Sequence, residues 1–380
     1  MDVNDIALLE DLSNTIAEKS KTFIGYPCSM DFDYSELYRF LKYPVNNVGD
    51  PFVVSGYGMH SKSFEIEVIS FFAALFKAPP ENWWGYVTNG GSEGNLYALY
   101  LARELYPEGM VYYSEATHYS VQKNIHLLNM PSIVIRTMPN GEMDYDDFKE
   151  ALQLNRHKPV IVLANIGTTM TEAKDDVPNI RSILNRYAIK NSYIHCDAAL
   201  AGTYLSLIDE NSTFNFKHGA DSIAISGHKF IGSPIPCGVV IVKKSYKDRI
   251  GKSIPYIGTM DTTISGSRNA VSPVFLWYAI KKMGKQGLYQ RAVGAIEMAV
   301  YLKKELVNMG IKAWQNDTAL TVVFPRPSER ICKKWQLATE GDLAHAICMP
   351  GISKDTVDSF ISDMQKVECA LETENTVSLN

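Results

Sequence analysis

The stretch Asp221-Ser-Ile-Ala-Ile-Ser226-Gly-His228-Lys229-Phe-Ile-Gly-Ser-Pro-Ile-Pro-Cys-Gly238 decides how the chain is read. The apolar run Ile223 to Ile225 predicts a buried strand, and it ends in a Ser, Gly, His, Lys cluster facing a loop punctuated by glycine and proline. Polar chemistry is thereby set at a strand end. A lysine standing alone is most often a solvated surface charge. Lys229 differs because an apolar strand and a second potential cation, His228, both destabilise its ammonium form, and a neutral amine attacks an aldehyde.

The natural aldehyde partner is pyridoxal 5'-phosphate. Such a cofactor requires three more parts: a phosphate cradle, an acid for the pyridine nitrogen, and a flat group against the ring. A cradle is offered where the strand Trp84-Gly-Tyr-Val-Thr88 runs into Asn89-Gly-Gly-Ser92-Glu93-Gly-Asn95 and then a helix, since glycines admit close approach and free amides at a helix start hold phosphate. Asp197, in Tyr193-Ile-His-Cys-Asp197-Ala198-Ala199, follows an apolar strand and is expected partly buried at its tip; a buried carboxylate needs a cation, and a protonated pyridine fits. Outside that setting it would read as a helix N-cap. His118, in Ser114-Glu-Ala-Thr-His118-Tyr-Ser120, is the flat group, again just past a strand. Taken singly these signals are weak, but the order turn, histidine, aspartate, lysine at successive strand ends of one sheet is specific.

The whole chain accommodates this reading. Its 380 residues are 46% hydrophobic and 21% charged, enough for a large core, and the formal charge of -5 gives no basic footprint for nucleic acid or an anionic membrane. No apolar run reaches the ~18 residues of a membrane span, and Met1-Asp-Val-Asn-Asp lacks the features of a signal peptide, so a soluble cytoplasmic protein is expected. The six cysteines are scattered without ligand spacing, which predicts reduced thiols and no metal site.

Residues 1–60 are read as an N-terminal arm and pocket loops, with Ile6, Leu8, Leu9, Leu12 and Ile16 forming an amphipathic stripe that must be covered by the body or a second subunit. Residues 61–285 alternate short apolar strands with helices, the signature of a mostly parallel sheet covered on both faces, whose ligands bind at strand carboxyl ends. Residues 286–380 read as a small α+β domain.

The motifs Thr88-Asn-Gly-Gly-Ser-Glu-Gly-Asn95, Thr117-His-Tyr-Ser-Val121, Asn165-Ile-Gly-Thr-Thr169, His195-Cys-Asp-Ala-Ala199, Ser226-Gly-His-Lys-Phe230 and Gly266-Ser-Arg-Asn269 resemble those of the fold type I pyridoxal phosphate enzymes. Within these the chain is similar to the group II amino-acid decarboxylases, in particular the bacterial histidine and plant serine decarboxylases. The resemblance implies Lys229 as the residue that binds the cofactor covalently, His118 and Ala199 on the two ring faces, and Asp197 on the pyridine nitrogen. It further implies Gly91, Ser92, Ser226 and His228 at the phosphate, Thr168 nearby, and a dimer in which Ser267 reaches the phosphate of the neighbouring subunit.

The expected reaction is removal of the α-carboxylate from an amino acid as carbon dioxide, with Tyr256 as the candidate for protonating Cα and Tyr26, Pro27, Tyr57 and His60 near the substrate side chain. Residues 232–244 and 321–330 look most like the histidine enzymes, whereas Asp50-Pro-Phe, Gly56-Tyr-Gly-Met-His60-Ser61 and residues 335–345 look closer to the serine enzymes. The bacterial pattern carries asparagine where His60 stands here. L-Histidine to histamine is therefore the expectation, and L-serine to ethanolamine the alternative. An aminotransferase would need an arginine clamp, for which Arg326 and Arg330 stand in a Pro-rich loop setting. A desulfurase would need a reactive cysteine, and Cys196 and Cys237 flank apolar strands where thiols are inert. A protein that only binds the cofactor or a partner would not need this full set of reactive residues.

Overall fold

The computed structural model describes residues 1–254 and 259–377. Along the chain the elements are α1 (Val3–Ser20), α2 (Lys62–Leu75), β1 (Trp84–Thr88), α3 (Gly91–Leu105), β2 (Met110–Ser114), α4 (Tyr119–Leu127), β3 (Ser132–Ile135), α5 (Tyr145–Leu154), β4 (Val160–Asn165), α6 (Val177–Arg186), β5 (Ser192–Asp197) and α7 (Ala201–Ile208). There follow β6 (Ser222–Ser226), β7 (Gly238–Val242), α8 (Lys244–Lys247), β8 (Lys252–Ile254), β9 (Thr259–Asp261), α9 (Val271–Asn308), β10 (Thr321–Pro325), α10 (Glu329–Trp335), β11 (Ala338–Glu340), β12 (Leu343–Ile347) and α11 (Lys354–Val377). Helix α9 is interrupted at Gly284, whose φ of 63° is non-helical.

The chain divides into two compact units, residues 28–293 and residues 1–27 with 294–380. The first contains a seven-stranded sheet in the order β1-β7-β6-β5-β4-β2-β3. β7 runs antiparallel to both neighbours and the other pairings are parallel. Strands buried on both faces must be apolar throughout, and Val160-Ile-Val-Leu-Ala-Asn165 and Gly238-Val-Val-Ile-Val242 are buried at every residue. Val240 and Val242 pack with Tyr97 and Leu101 of α3, while Ile241 turns to the other face, where it and Ile69 of α2 crowd Gly85. Helices therefore cover both sides, as the alternation of apolar runs predicts. Each of the fully buried Phe72, Phe76 and Phe148 stabilises the unit by about 1.5–3 kcal/mol relative to exposure.

The second unit has an antiparallel sheet in the order β10-β12-β11, with Phe324 and Ala346 packing against Leu302, Leu306, Trp335 and Phe360. Its helix α1 begins with a reciprocal cap between Asp2 and Asp5, yet none of its residues is buried, and the stripe Ile6, Leu8, Leu9, Leu12 and Ile16 is exposed. Among the described residues no helix is long and apolar enough to cross a membrane.

Candidate active site

Sheet register converges the site residues. Gly238 of β7 lies opposite Thr88 of β1 on one side and Ser226 of β6 on the other. A Cβ on Gly238 would stand 2.5 Å from the Ile225 carbonyl and 2.7 Å from Thr88 Oγ1, so only glycine admits this approach. The turn after β1 is thus held against the end of β6. Gly90, at φ 155° and ψ 175°, occupies a region open essentially to glycine, and its ideal Cβ position is 4.0 Å from the His228 ring. At Gly91 the same position is 2.8 Å from Ser226 Oγ and 3.3 Å from the Ala199 methyl. Gly91, Ala199, Ser226 and His228 therefore face one small space at the start of α3, beside the exposed Ser92. Helix-start amides, a hydroxyl and an imidazole form a donor set suited to a phosphate.

Asp197 ends β5, paired in register with Asn165 of β4 and Ala224 of β6. Its carboxylate is buried, accepting from Asn95 Nδ2 at 2.7 Å and from the Ala199 amide at 3.2 Å. Among the described residues no cation forms an ion pair with it. A buried carboxylate in this state favours a positively charged ligand group.

The adjacent hydrogen bonds fix its orientation. Because a carboxylate only accepts, the Asn95 amide nitrogen faces Asp197, and Asn95 Oδ1 takes the proton of His195 Nε2 at 2.8 Å. His195 Nδ1, 2.8 Å from Ser222 Oγ, then accepts the serine hydroxyl. Burial lowers the His195 pKa to about 4, so this imidazole is neutral at pH 7. Asn95 and His195 stand inside two of the quoted motifs, and the sequence alone assigns neither a role. The signal available was a polar side chain within an apolar helix stripe and another within an apolar strand.

Lys229 follows β6, and its loop is fastened at several backbone atoms. The Lys229 carbonyl accepts from the Ser29 amide at 3.3 Å, the Phe230 carbonyl from Ser29 Oγ at 3.2 Å, and the Ile231 carbonyl from Tyr34 Oη at 3.3 Å. Among the described residues no carboxylate lies within ion-pair reach of its amine. Burial pushes the amine below the ordinary lysine range, opposed by the charges of Asp197, Cys28 and Glu172. A neutral, nucleophilic amine is thus accessible through burial, the first of the two causes its sequence setting predicts; His228, the second, is not among the groups that shift it, and burial disfavours the charged form of that imidazole as well.

His118 caps α4. Its Nδ1 lies 2.8 Å from Ser120 Oγ and accepts from the Ser120 amide at 3.3 Å. Burial lowers its pKa; Asp197 opposes this and Lys229 adds to it, so lysine, aspartate and histidine share one electrostatic environment. The turn before His118 is held from β4, where Asn165 Nδ2 donates to Ser114 Oγ at 3.1 Å and Thr117 Oγ1 at 3.0 Å, and Asp175 accepts the Asn165 amide at 2.6 Å. The His228 pKa is likewise lowered by burial, and Nδ1 faces the Cys237 carbonyl at 2.9 Å.

The remaining candidates are more dispersed. Thr168 is buried and its hydroxyl is engaged within its own loop, accepting from the Ala173 amide at 3.0 Å. Ser267 is exposed and accepts from Asn46 Nδ2 at 3.0 Å. Its neighbour Arg268 pairs with the buried Glu65, which also accepts the Val87 amide of β1 at 2.9 Å. Tyr57 donates to the Pro44 carbonyl at 2.9 Å, and the exposed His60 lines a cavity with Phe40, Tyr43, Met59 and Phe64. Among the described residues no hydrogen bond or ring contact joins Tyr57 or His60 to Lys229, Asp197 or His118. Tyr26 and Pro27 belong to the other unit. Tyr256 lies outside the described residues.

A model of the pyridoxal-dependent decarboxylase conserved domain matches residues 60–324. The histidine decarboxylase of Mesorhizobium japonicum is 46% identical over 361 residues, covering 95% of this chain and 98% of that protein. Serine decarboxylase 3 of Oryza sativa subsp. japonica is 43% identical over 368 residues, covering 96% of this chain and 82% of that protein. Among solved structures, L-methionine decarboxylase from Streptomyces sp.590 superposes with a TM-score of 0.89 at 25% identity, covering 96% of this chain and 95% of that one. A buried acid without a cation, a desolvated lysine and a glycine-lined anion cradle on the fold of these enzymes agree with that match: the chain belongs to the pyridoxal-dependent decarboxylases, amino-acid carboxy-lyases that use pyridoxal 5'-phosphate.

Proposed function

We propose that this enzyme converts L-histidine to histamine and carbon dioxide, with Lys229 as the residue bonded to the cofactor. When bound, the cofactor supplies an electron sink for the pair released as the Cα–carboxylate bond breaks. Asp197, oriented by Asn95, keeps the pyridine nitrogen protonated, so the sink retains its charge. His118 and Ala199 would flank the two faces of the ring. Gly91, Ser92, Ser226 and His228 hold the phosphate, with Thr168 nearby. Tyr26, Pro27, Tyr57 and His60 would contact the substrate side chain, and Tyr256 would supply the proton for Cα.

The observation that carries these roles is the pairing of needs: a buried carboxylate lacking a cation, and an amine whose charged form burial disfavours in the same environment. Histidine as substrate is supported by the relatives that carry that name at 46% and 48% identity. Serine is the second reading, favoured by the 43% identical plant enzyme and by His60 where the bacterial pattern has asparagine. The enzyme acts as a cytoplasmic homodimer in which Ser267 reaches the neighbouring phosphate. The uncovered apolar stripe of α1 supports a second copy of the chain.

The test is carbon dioxide release from each standard amino acid, with products identified. Histamine supports the proposal, ethanolamine the second reading. A Lys229→Ala enzyme releasing carbon dioxide at the wild-type rate refutes the role of the lysine.

A further inference from the structure

The segment that carries Lys229 has no regular structure of its own. Residues 227–237, between β6 and β7, belong to no strand or helix, so their carbonyls have no ladder to bond into. Three successive ones, those of Lys229, Phe230 and Ile231, are met instead by residues 29–34, through the Ser29 amide, Ser29 Oγ and Tyr34 Oη. This strap lies so close that an ideal Cβ on Gly232 would stand 3.0 Å from both the Cβ and the carbonyl oxygen of Ser29, at a φ of 81° that itself favours glycine. The strap rests in turn on α9, where the Tyr34 ring lies 5.2 Å from that of Phe275 and the Phe32 ring 5.8 Å from that of Tyr278.

Arg291, also on α9, closes the arrangement. Its side chain is only 8% exposed, and the guanidinium fork is used on two sides. Nε donates to Asp31 Oδ2 at 2.7 Å and Nη2 to Asp31 Oδ1, a bidentate pair, while Nη1 donates to the Phe230 carbonyl and lies 3.5 Å from the Ile231 carbonyl. The guanidinium carbon also stands 5.3 Å from the centre of the Phe230 ring. One cation thus ties the strap to the backbone next to the lysine. We propose that Arg291, oriented by Asp31, is a positioning residue for Lys229: it fixes the peptide that follows the lysine so that the amine is delivered to the cofactor aldehyde. This rests on the reading of Lys229 as the residue bonded to the cofactor. A long, flexible side chain is aimed only as well as its backbone is held, and a displacement of about 1 Å between reacting atoms costs about 10²-fold in rate.

The test uses the full chain freed of cofactor and two probes. Pyridoxal 5'-phosphate reports delivery: the Lys229 nitrogen bonds to the aldehyde carbon with loss of water, borohydride reduces the resulting double bond, and peptide mass reads the rate of labelling. Pyridoxine 5'-phosphate, with an alcohol in place of the aldehyde, reports the cradle and ring site alone through its dissociation constant. Arg291→Met is expected to slow labelling about tenfold or more while the pyridoxine 5'-phosphate affinity stays within about twofold of wild type. Asp31→Asn, at the more exposed end of the pair, is expected to slow labelling about threefold. Labelling within about 1.5-fold of wild type in both variants, or in Asp31→Asn alone where Arg291→Met does not fold, overturns the proposal. So does a loss of pyridoxine 5'-phosphate affinity equal to the loss of labelling rate, which marks a general loosening of the site. Absence of label at Lys229 in the wild-type chain refutes instead the reading of that lysine as the cofactor residue.

Discussion

Acidification should reveal two buried groups that oppose each other. His195 has its pKa drawn down by burial to about 4, against an ordinary 6.5. A group whose folded pKa is depressed contributes stability above the unfolded value and loses it as pH falls toward the folded one. Between pH 7.5 and 4.5 the loss works out at about 2.5 kcal/mol. Asp175 behaves in the opposite sense: burial raises its pKa from 3.8 to about 6, so its ionised form is a liability at neutral pH. Over the same fall in pH its protonation returns about 2 kcal/mol. The two contributions nearly cancel, and the wild-type slope from this pair should be close to flat. Single substitutions should expose the halves. Relative to wild type, His195→Gln should gain about 2.5 kcal/mol on acidification and Asp175→Asn should lose about 2 kcal/mol, whatever each costs at pH 7.5. Urea unfolding midpoints across this range measure both, since the other titrating groups are common to every pair compared. Differences between variant and wild type that stay constant with pH to within about 0.5 kcal/mol would refute the reasoning.

Three other perturbations follow from the site. Gly91→Ala places a methyl 2.8 Å from Ser226 Oγ, and cofactor affinity measured by fluorescence titration should weaken about tenfold, a 1.4 kcal/mol effect, with the fold unchanged by circular dichroism. Asn95→Ala leaves both Asp197 and His195 short of a partner and should cost about 2–4 kcal/mol in urea unfolding. Arg268→Met removes the ion-pair partner of the buried Glu65 beneath β1 and should cost about 3–5 kcal/mol by the same assay.

The sheet was legible because burial on two faces imposes apolar runs, and the runs ending at Ser114, Asn165, Asp197 and Ser226 could be read without knowing their neighbours. Lys229, Asp197 and His118 were legible for a related reason: each stands where an apolar strand stops and polar backbone is released, so its setting is local. Tyr57 and His60 carried no such local setting. Their placement depends on loops whose course is set by distant partners, such as the Asn46 and Arg268 backbones that hold residues 46–61.

What sequence order conceals is pairing among buried polar groups. Asn95 and Asp197 are 102 residues apart, and only the stacking of α3 over β5, β6 and β7 brings their side chains to 2.7 Å. The cost of burial nevertheless leaves a trace. A polar residue inside an apolar stripe must find a partner at the same depth, so Asn95 in its helix and Asn165 and His195 in their strands each announce an obligation without naming who meets it. Here those obligations are met by one another around the strand ends, in the Ser222–His195–Asn95–Asp197 series and in the Asp175–Asn165–Thr117 series. Polar satisfaction in the core and orientation of the Asp197 carboxylate are therefore the same set of bonds. A substitution in this layer should consequently change stability and cofactor affinity together, whereas one at Gly91 changes affinity alone.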